Sequence, residues 1–224
     1  MMHIREFATR EALMSAAAER IAKALQDATS ERGEAVAALS GGGTPEPAYA
    51  ELATLKLDWP RVTFALVDER FVPPRDPASN EALLRRTLAP ALAAGAQLLP
   101  MYADCADVEE AAARADEFYS TQHIDIALMG MGGDGHTASW FPQSPQLGAA
   151  LNDQRAVIAV HAPGAAGAAE RLTLTRSALS KAASVVLLIT GDEKRRVLED
   201  RGRARLPIDR LLELPITPEV FWAR

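Results

Sequence analysis

Apolar positions along the chain alternate between two rhythms. Between residues 11 and 29 they fall at Leu13, Ala17, Ile21 and Leu25, a spacing of one helical turn that gathers them on one face. Residues 35 to 39 then form an unbroken apolar run of strand length. The exchange repeats. Residues 62 to 67 read as a strand that turns through Asp68-Glu69-Arg70-Phe71-Val72-Pro73-Pro74 and resumes as a helix near Ser79 or Asn80. A helix from about Asp107, with Glu110 three residues on as its capping-box partner, leads to a strand entered at Ile124 and buried over residues 126 to 129. Residues 157 to 160, 171 to 175 and 185 to 189 read as further strands, the last passing through Thr190-Gly191 into a helix from Asp192 to about Asp200. Buried strands alternating with helices predict an α/β fold: a doubly wound, mostly parallel sheet with helices on both faces.

Nothing in the 224 residues reads as a linker, so one domain over residues 1–224 is expected. The 48% apolar content is ample for a continuous core, and no apolar run reaches the length of a membrane span. The opening MMHIREF has an acid and no hydrophobic stretch of the secretory kind, so a soluble, cytoplasmic protein is expected. The single Cys105 can make no internal disulfide. A net charge of −6 argues against nucleic acid or an anionic membrane as partner, and a phosphorylated ligand would need local cations to capture it. Residues 162 to 169 are alanine and glycine with one proline, a mobile surface loop that either covers a ligand or is merely tolerated.

Chemistry concentrates in residues 130 to 136, where the strand pattern breaks into four glycines around Asp134 and His136. Gly130, Gly132 and Gly135 spell a dinucleotide fingerprint, but Pro142 and Pro145 leave room for only a short helix after it, and the fingerprint has no use for a histidine there. In an open parallel sheet the loops at the strands' carboxyl ends share one edge, so residues 40 to 45, 68 to 74, 130 to 139 and 190 to 194 should converge. The first, Ser40-Gly41-Gly42-Gly43-Thr44-Pro45, resembles an anion cradle, with Thr44 as N-cap and Pro45 as first helical residue; it lacks a Walker lysine. Arg70, in a turn with two prolines, suits bidentate phosphate binding or a surface pairing with Glu69 or Asp76. Lys194 stands in a first helical turn, where a cation opposes the dipole unless an anion intervenes. Asp134 can orient His136, and with neither a zinc-type histidine motif nor a serine elbow present, a histidine base acting on water is the simplest chemistry.

Four segments, SGGGTP, VDERFVP with the SN after it, GMGGDGHTASWFP, and RLTLT leading to LLITGDEK, occur in an order that resembles the 6-phosphogluconolactonase family, over residues 6 to 222. The resemblance implies a sandwich related to sugar-phosphate isomerases. It also implies hydrolysis of 6-phospho-D-glucono-1,5-lactone in the oxidative pentose phosphate pathway, with no metal or organic cofactor. His136 would then deprotonate water and Asp134 would orient it. Arg70 and Lys194 would bind phosphate beside Ser40, Gly41, Gly42, Gly43 and Thr44, with Arg171 a further phosphate or sugar contact. Asp68 would order Arg70 or meet a sugar hydroxyl. A monomer or weak homo-oligomer is expected. The related glucosamine-6-phosphate deaminases have an Asn-Glu pair just beyond the histidine, which this chain lacks, and an aromatic residue where it has Arg70. Trp140 departs from the lactonase pattern, where leucine is commoner. A noncatalytic sugar-phosphate sensor would need the cations and glycines but not the Asp134–His136 pair.

Overall fold

The computed structural model describes residues 4–200 and 205–224. Its strands are β1 (Ile4–Glu6), β2 (Ala35–Leu39), β3 (Val62–Leu66), β4 (Asp68–Arg70), β5 (Gln97–Leu98), β6 (Ile126–Met129), β7 (Val157–His161), β8 (Glu170–Leu174), β9 (Val185–Thr190) and β10 (Glu219–Ala223). The helices are α1 (Arg10–Arg32), α2 (Glu46–Leu52), α3 (Asn80–Thr87), α4 (Ala89–Ala93), α5 (Val108–Tyr119), α6 (Leu147–Asn152), α7 (Arg176–Ser180), α8 (Asp192–Glu199) and α9 (Pro207–Leu212).

Seven strands form a parallel sheet in the order β1-β10-β9-β6-β2-β3-β5. Every residue of β2 and β6 is buried, so both faces of the sheet are covered, as the unbroken apolar runs require. From β2 the chain winds outward through β3 to β5, then returns to β6 and winds the other way. The switch point lies between β2 and β6, where ligands bind in open α/β sheets. Ser40 and Gly130 are the first residues past those two strands, and Ser40 N donates to Leu128 O at 3.1 Å.

Helix α1 has the stripe its spacing predicts, with Leu13, Ala17, Ile21 and Leu25 all fully buried. Thr9 caps it by accepting from Ala12 N, and Gly33 ends it at φ +83°, a conformation glycine adopts without Cβ strain. Truncating Leu13 to alanine would cost about 2–5 kcal/mol through the cavity left behind. At α5, Asp107 accepts from Glu110 N at 2.8 Å, while the Glu110 carboxylate reaches Ala106 N at 3.3 Å, one residue earlier than a capping box places it.

The fold departs from the sequence reading in two places. Residues 68 to 70, expected as a turn, are strand β4, and β7 and β8 join it in a separate antiparallel sheet of order β4-β8-β7. The physical reason is the short connection between residues 161 and 170: parallel neighbours need a crossover of a dozen or more residues, so these strands can only fold back on each other. Thr44 is not the N-cap of α2; Pro45 takes that position without a side-chain cap bond, and Thr44 lines both the cleft and the cavity next to it. No helix follows Gly135, the next being α6, which removes the dinucleotide reading. Among the described residues no helix is long and apolar enough to cross a membrane.

Candidate functional site

At the switch point lies a cavity of about 300 Å³, the size of a small polar ligand. One wall is the loop after β2, with Ser40, Gly41, Gly42 and Thr44. Gly42 holds φ +93°, where a side chain would be strained. The loop's entrance is fixed by Tyr49, whose hydroxyl donates to Ser40 O at 2.7 Å; burial pushes that phenol's pKa up, so it remains a donor. Gly43 does not face this cleft. It lines a neighbouring cavity with Arg10 and Glu51.

Three cations border the same space: Arg70, Arg171 and Lys194. Arg70 and Arg171 are direct cross-strand partners in β4 and β8, a like-charge pairing that opposes sheet formation unless something negative lies nearby. The Arg70 guanidinium is not paired with Glu69 or Asp76. Its Nη1 donates to Ala78 O at 2.6 Å and Asn80 Oδ1 at 2.7 Å, and its buried Nε has no partner among the described residues. Glu69 accepts instead from the backbone of Arg70, Asn80 and Glu81 and from the Ser79 hydroxyl, while Asp76 accepts from Ala78 N. Burial pushes the Glu69 carboxyl pKa up, and those four hydrogen bonds oppose the shift.

Arg171 is almost fully buried and its pKa is lowered by desolvation. It donates from Nε to Ala168 O at 2.8 Å and from Nη2 to Ala166 O, and its guanidinium lies 5.7 Å from the centroid of Phe141. The alanine-glycine loop at 162–169 is thereby tied to the cleft wall. Lys194, in the first turn of α8, is half-buried; desolvation lowers its pKa, with Glu193 acting weakly the other way. Its ammonium has no hydrogen bond or ion pair among the described residues. Three cations held out of water at partial cost form a site shaped for an anion.

His136 lines the cleft on the β6 side. Its Nδ1 lies 2.6 Å from Asp134 Oδ1, which also accepts from His136 N at 3.2 Å. The imidazole rests 4.7 Å, centroid to centroid, from Phe141, and about a third of its side chain is exposed, so water can reach it. Asp134 stands behind it in a second cavity of about 760 Å³. From outside, Ile208 N donates to Gly135 O at 3.0 Å, and Leu206 fills the space a Cβ on Gly135 would need. Ala138, another cleft residue, holds φ +46°, a strained conformation for a residue with a side chain.

Asp68 makes no contact with the Arg70 guanidinium among the described hydrogen bonds and ion pairs. It accepts from Ser139 Oγ at 2.7 Å and from Asn80 Nδ2 at 3.3 Å. Trp140 is fully buried and donates from Nε1 to Leu174 O at 2.8 Å, so it serves packing. The residues that sequence reasoning left without a role here are Asn80, Ser139 and Phe141. Asn80 stood within the quoted SN pair, but its contacts depend on a strand ten residues away. Among the described residues no group of three or more His, Cys, Asp or Glu side chains is arranged to hold a metal ion.

A family model described as glucosamine-6-phosphate isomerases/6-phosphogluconolactonase matches residues 8–222. A 6-phosphogluconolactonase of Rhizobium meliloti is 40% identical over 231 residues, covering 99% of this chain and 98% of its own. That of Mesorhizobium japonicum is 38% identical over 224 residues, covering 97% and 93%. The crystal structure of a 6-phosphogluconolactonase from Shewanella baltica has the same fold, with a TM-score of 0.93 at 34% identity and coverage of 100% and 98%. The chain therefore belongs to the glucosamine-6-phosphate isomerase/6-phosphogluconolactonase family.

Proposed function

We propose that this protein is a 6-phosphogluconolactonase: a cytoplasmic enzyme of the oxidative pentose phosphate pathway that hydrolyses 6-phospho-D-glucono-1,5-lactone to 6-phospho-D-gluconate, with His136 as general base. The observation that carries the reading is a single cleft bordered by three cations and by an imidazole backed by a carboxylate. With Nδ1–H donated to Asp134, Nε2 keeps its lone pair for water. Water loses a proton to Nε2 as its oxygen bonds to C1, giving a tetrahedral oxyanion. Collapse breaks the bond from C1 to the ring oxygen, which takes the proton back from Nε2. The lactone is already electrophilic, so an oriented water, a base and donors to the oxyanion suffice. Arg70 and Lys194, with Arg171 beside them, hold the phosphate at the far end and fix the ring against the 40–44 loop.

The family also contains sugar-phosphate isomerases, whose chemistry moves protons between carbon atoms. This chain has no acid between His136 and Pro145, and that favours the lactonase. The test is lactone hydrolysis measured above its spontaneous rate. His136→Ala should lower kcat by about 10²- to 10⁴-fold with little change in KM, the range of one general base. An unchanged kcat removes the mechanism, and turnover of glucosamine 6-phosphate would return the isomerase reading.

A further inference from the structure

We propose that Asn80 is a positioning residue that makes the cleft selective for a phosphorylated ligand, by aiming the Arg70 guanidinium and seating the glycine loop beside it. This rests on the reading that Arg70 binds phosphate.

Asn80 is the first residue of α3, directly after the Ser79 cap. Its backbone is pinned from below. The fully buried Glu69 carboxylate accepts from Asn80 N at 2.7 Å, Glu81 N at 2.7 Å and Ser79 Oγ at 3.0 Å, which fastens the first turn of α3 under β4. The side chain, only 2% exposed, then bridges that strand. Nδ2 donates to Asp68 O at 2.8 Å and Oδ1 accepts from Arg70 Nη1 at 2.7 Å. The amide can sit only one way round, because a carbonyl oxygen only accepts and a guanidinium only donates.

The consequence for Arg70 is directional. Both hydrogens of Nη1 are used, one on Ala78 O and one on Asn80 Oδ1, while Nε is buried without a partner and Nη2 makes no hydrogen bond among the described residues. Fixing Nη1 holds the guanidinium in one orientation at the cleft before a ligand arrives, with Nη2 left free to donate, so less rotamer freedom is lost on binding. Asn80 reaches the second anion-binding element as well. A Cβ on Gly41 would fall 1.8 Å from Asn80 Oδ1, so the loop lies directly against the amide.

An amide is suited to this place because it accepts from Arg70 without neutralising it. A carboxylate of the same shape would pair with the guanidinium and would confront Asp68 O and Oδ1 without a hydrogen to offer either. Asn80→Asp is therefore the informative variant.

The experiment compares kcat/KM for 6-phosphogluconolactone with that for unphosphorylated glucono-1,5-lactone in the native protein, Asn80→Asp, Arg70→Ala and the double variant, with folding followed by circular dichroism. Asn80→Asp should lower the ratio of the two by about 10- to 100-fold, the scale of hydrogen bonds to a charged group, and the loss should lie in KM. Because Asn80 acts through Arg70, the double variant should be no less selective than Arg70→Ala alone. An unchanged ratio, an equal loss on both lactones, or fully multiplied losses in the double variant would overturn the proposal. Should Asn80→Asp fail to fold, Asn80→Ser in the same cycle must lower the ratio, and an unchanged ratio there overturns it equally. A native protein that does not discriminate between the lactones would defeat the phosphate reading of Arg70 and this proposal with it. Discrimination that survives Asn80→Asp undiminished defeats this proposal alone.

Discussion

A Cβ placed on Gly132 would lie 2.2 Å from Cε1 and 2.3 Å from Nδ1 of His136, so the imidazole occupies space that only glycine leaves open. The same atom would stand 2.7 Å from Asp134 Oδ1. Gly132 thus leaves open the space that both members of the pair occupy. Gly132→Ala should displace the ring and lower kcat for lactone hydrolysis by about 10²-fold or more, approaching the loss of the base itself. Thermal unfolding should be nearly unchanged, since the loop can shift toward the open cleft. Native-like kcat would mean that the ring position is not what limits the reaction.

Arg70 reaches the cleft from β4 of the three-stranded sheet and Lys194 from the first turn of α8, and each should contribute to holding a phosphate. Arg70→Ala and Lys194→Ala should each weaken binding of 6-phosphogluconate by about 1.5–3 kcal/mol, the scale for a hydrogen bond to a charged group. Calorimetric titration with 6-phosphogluconate and with gluconate separates the phosphate contribution from the sugar's. Equal losses for both ligands would assign these cations to the sugar.

Desolvation lowers the pKa of Lys194 from its ordinary 10.5. In the unliganded protein the ammonium therefore begins to lose its proton at a lower pH than a free lysine does, whereas a bound phosphate favours the charged form and drives proton uptake. Affinity for 6-phosphogluconate should fall as pH rises, starting below the ordinary lysine value of 10.5, and Lys194→Arg should flatten that fall because arginine stays charged there. A slope identical in the two proteins would mean that another group titrates.

His161, at the end of β7, is clasped by two carboxylates across the base of the 162–169 loop. Its Nε2 lies 2.7 Å from Glu109 Oε1, and its Nδ1 lies 2.5 Å from Glu170 Oε2. The hydrogen bond to Glu109 is the largest influence and raises its pKa above 6.5; burial opposes the rise, and the charges of Glu170 and Glu109 add to it. A histidine whose folded pKa is raised contributes its full stabilisation below the unfolded value and loses it as pH climbs through the folded one. The difference in Tm between the native protein and His161→Gln should be largest below pH 6.5 and should shrink as pH rises above it. A difference that grows with pH would contradict the clasp.

Much of the frame was legible because burial leaves a local rhythm. The α1 stripe, the apolar runs of β2, β3, β6 and β9, and the cap residues Ser79 and Asp107 lie within a few positions of what they control. Strands of two or three residues, β1, β4 and β5, carry no such rhythm; they exist because a neighbour supplies hydrogen bonds. The glycines around His136 announced a site, but the reason for Gly132 appears only in the position of the ring. Asn80 was invisible as a functional residue because an amide at the start of a helix reads as a capping side chain.

The sequence by itself determined the alternation of strand and helix, and with it a parallel sheet whose carboxyl-end loops had to carry the chemistry, since both follow from periodicity and backbone geometry within short segments. Only the tertiary structure decided that β4, β7 and β8 leave that sheet for one of their own, that Arg70 and Arg171 face each other there, and that Asn80 aims the first of them. Those outcomes depend on which segments meet after the chain has wound through β2 and back to β6, and contacts between distant residues leave no mark in the spacing of either.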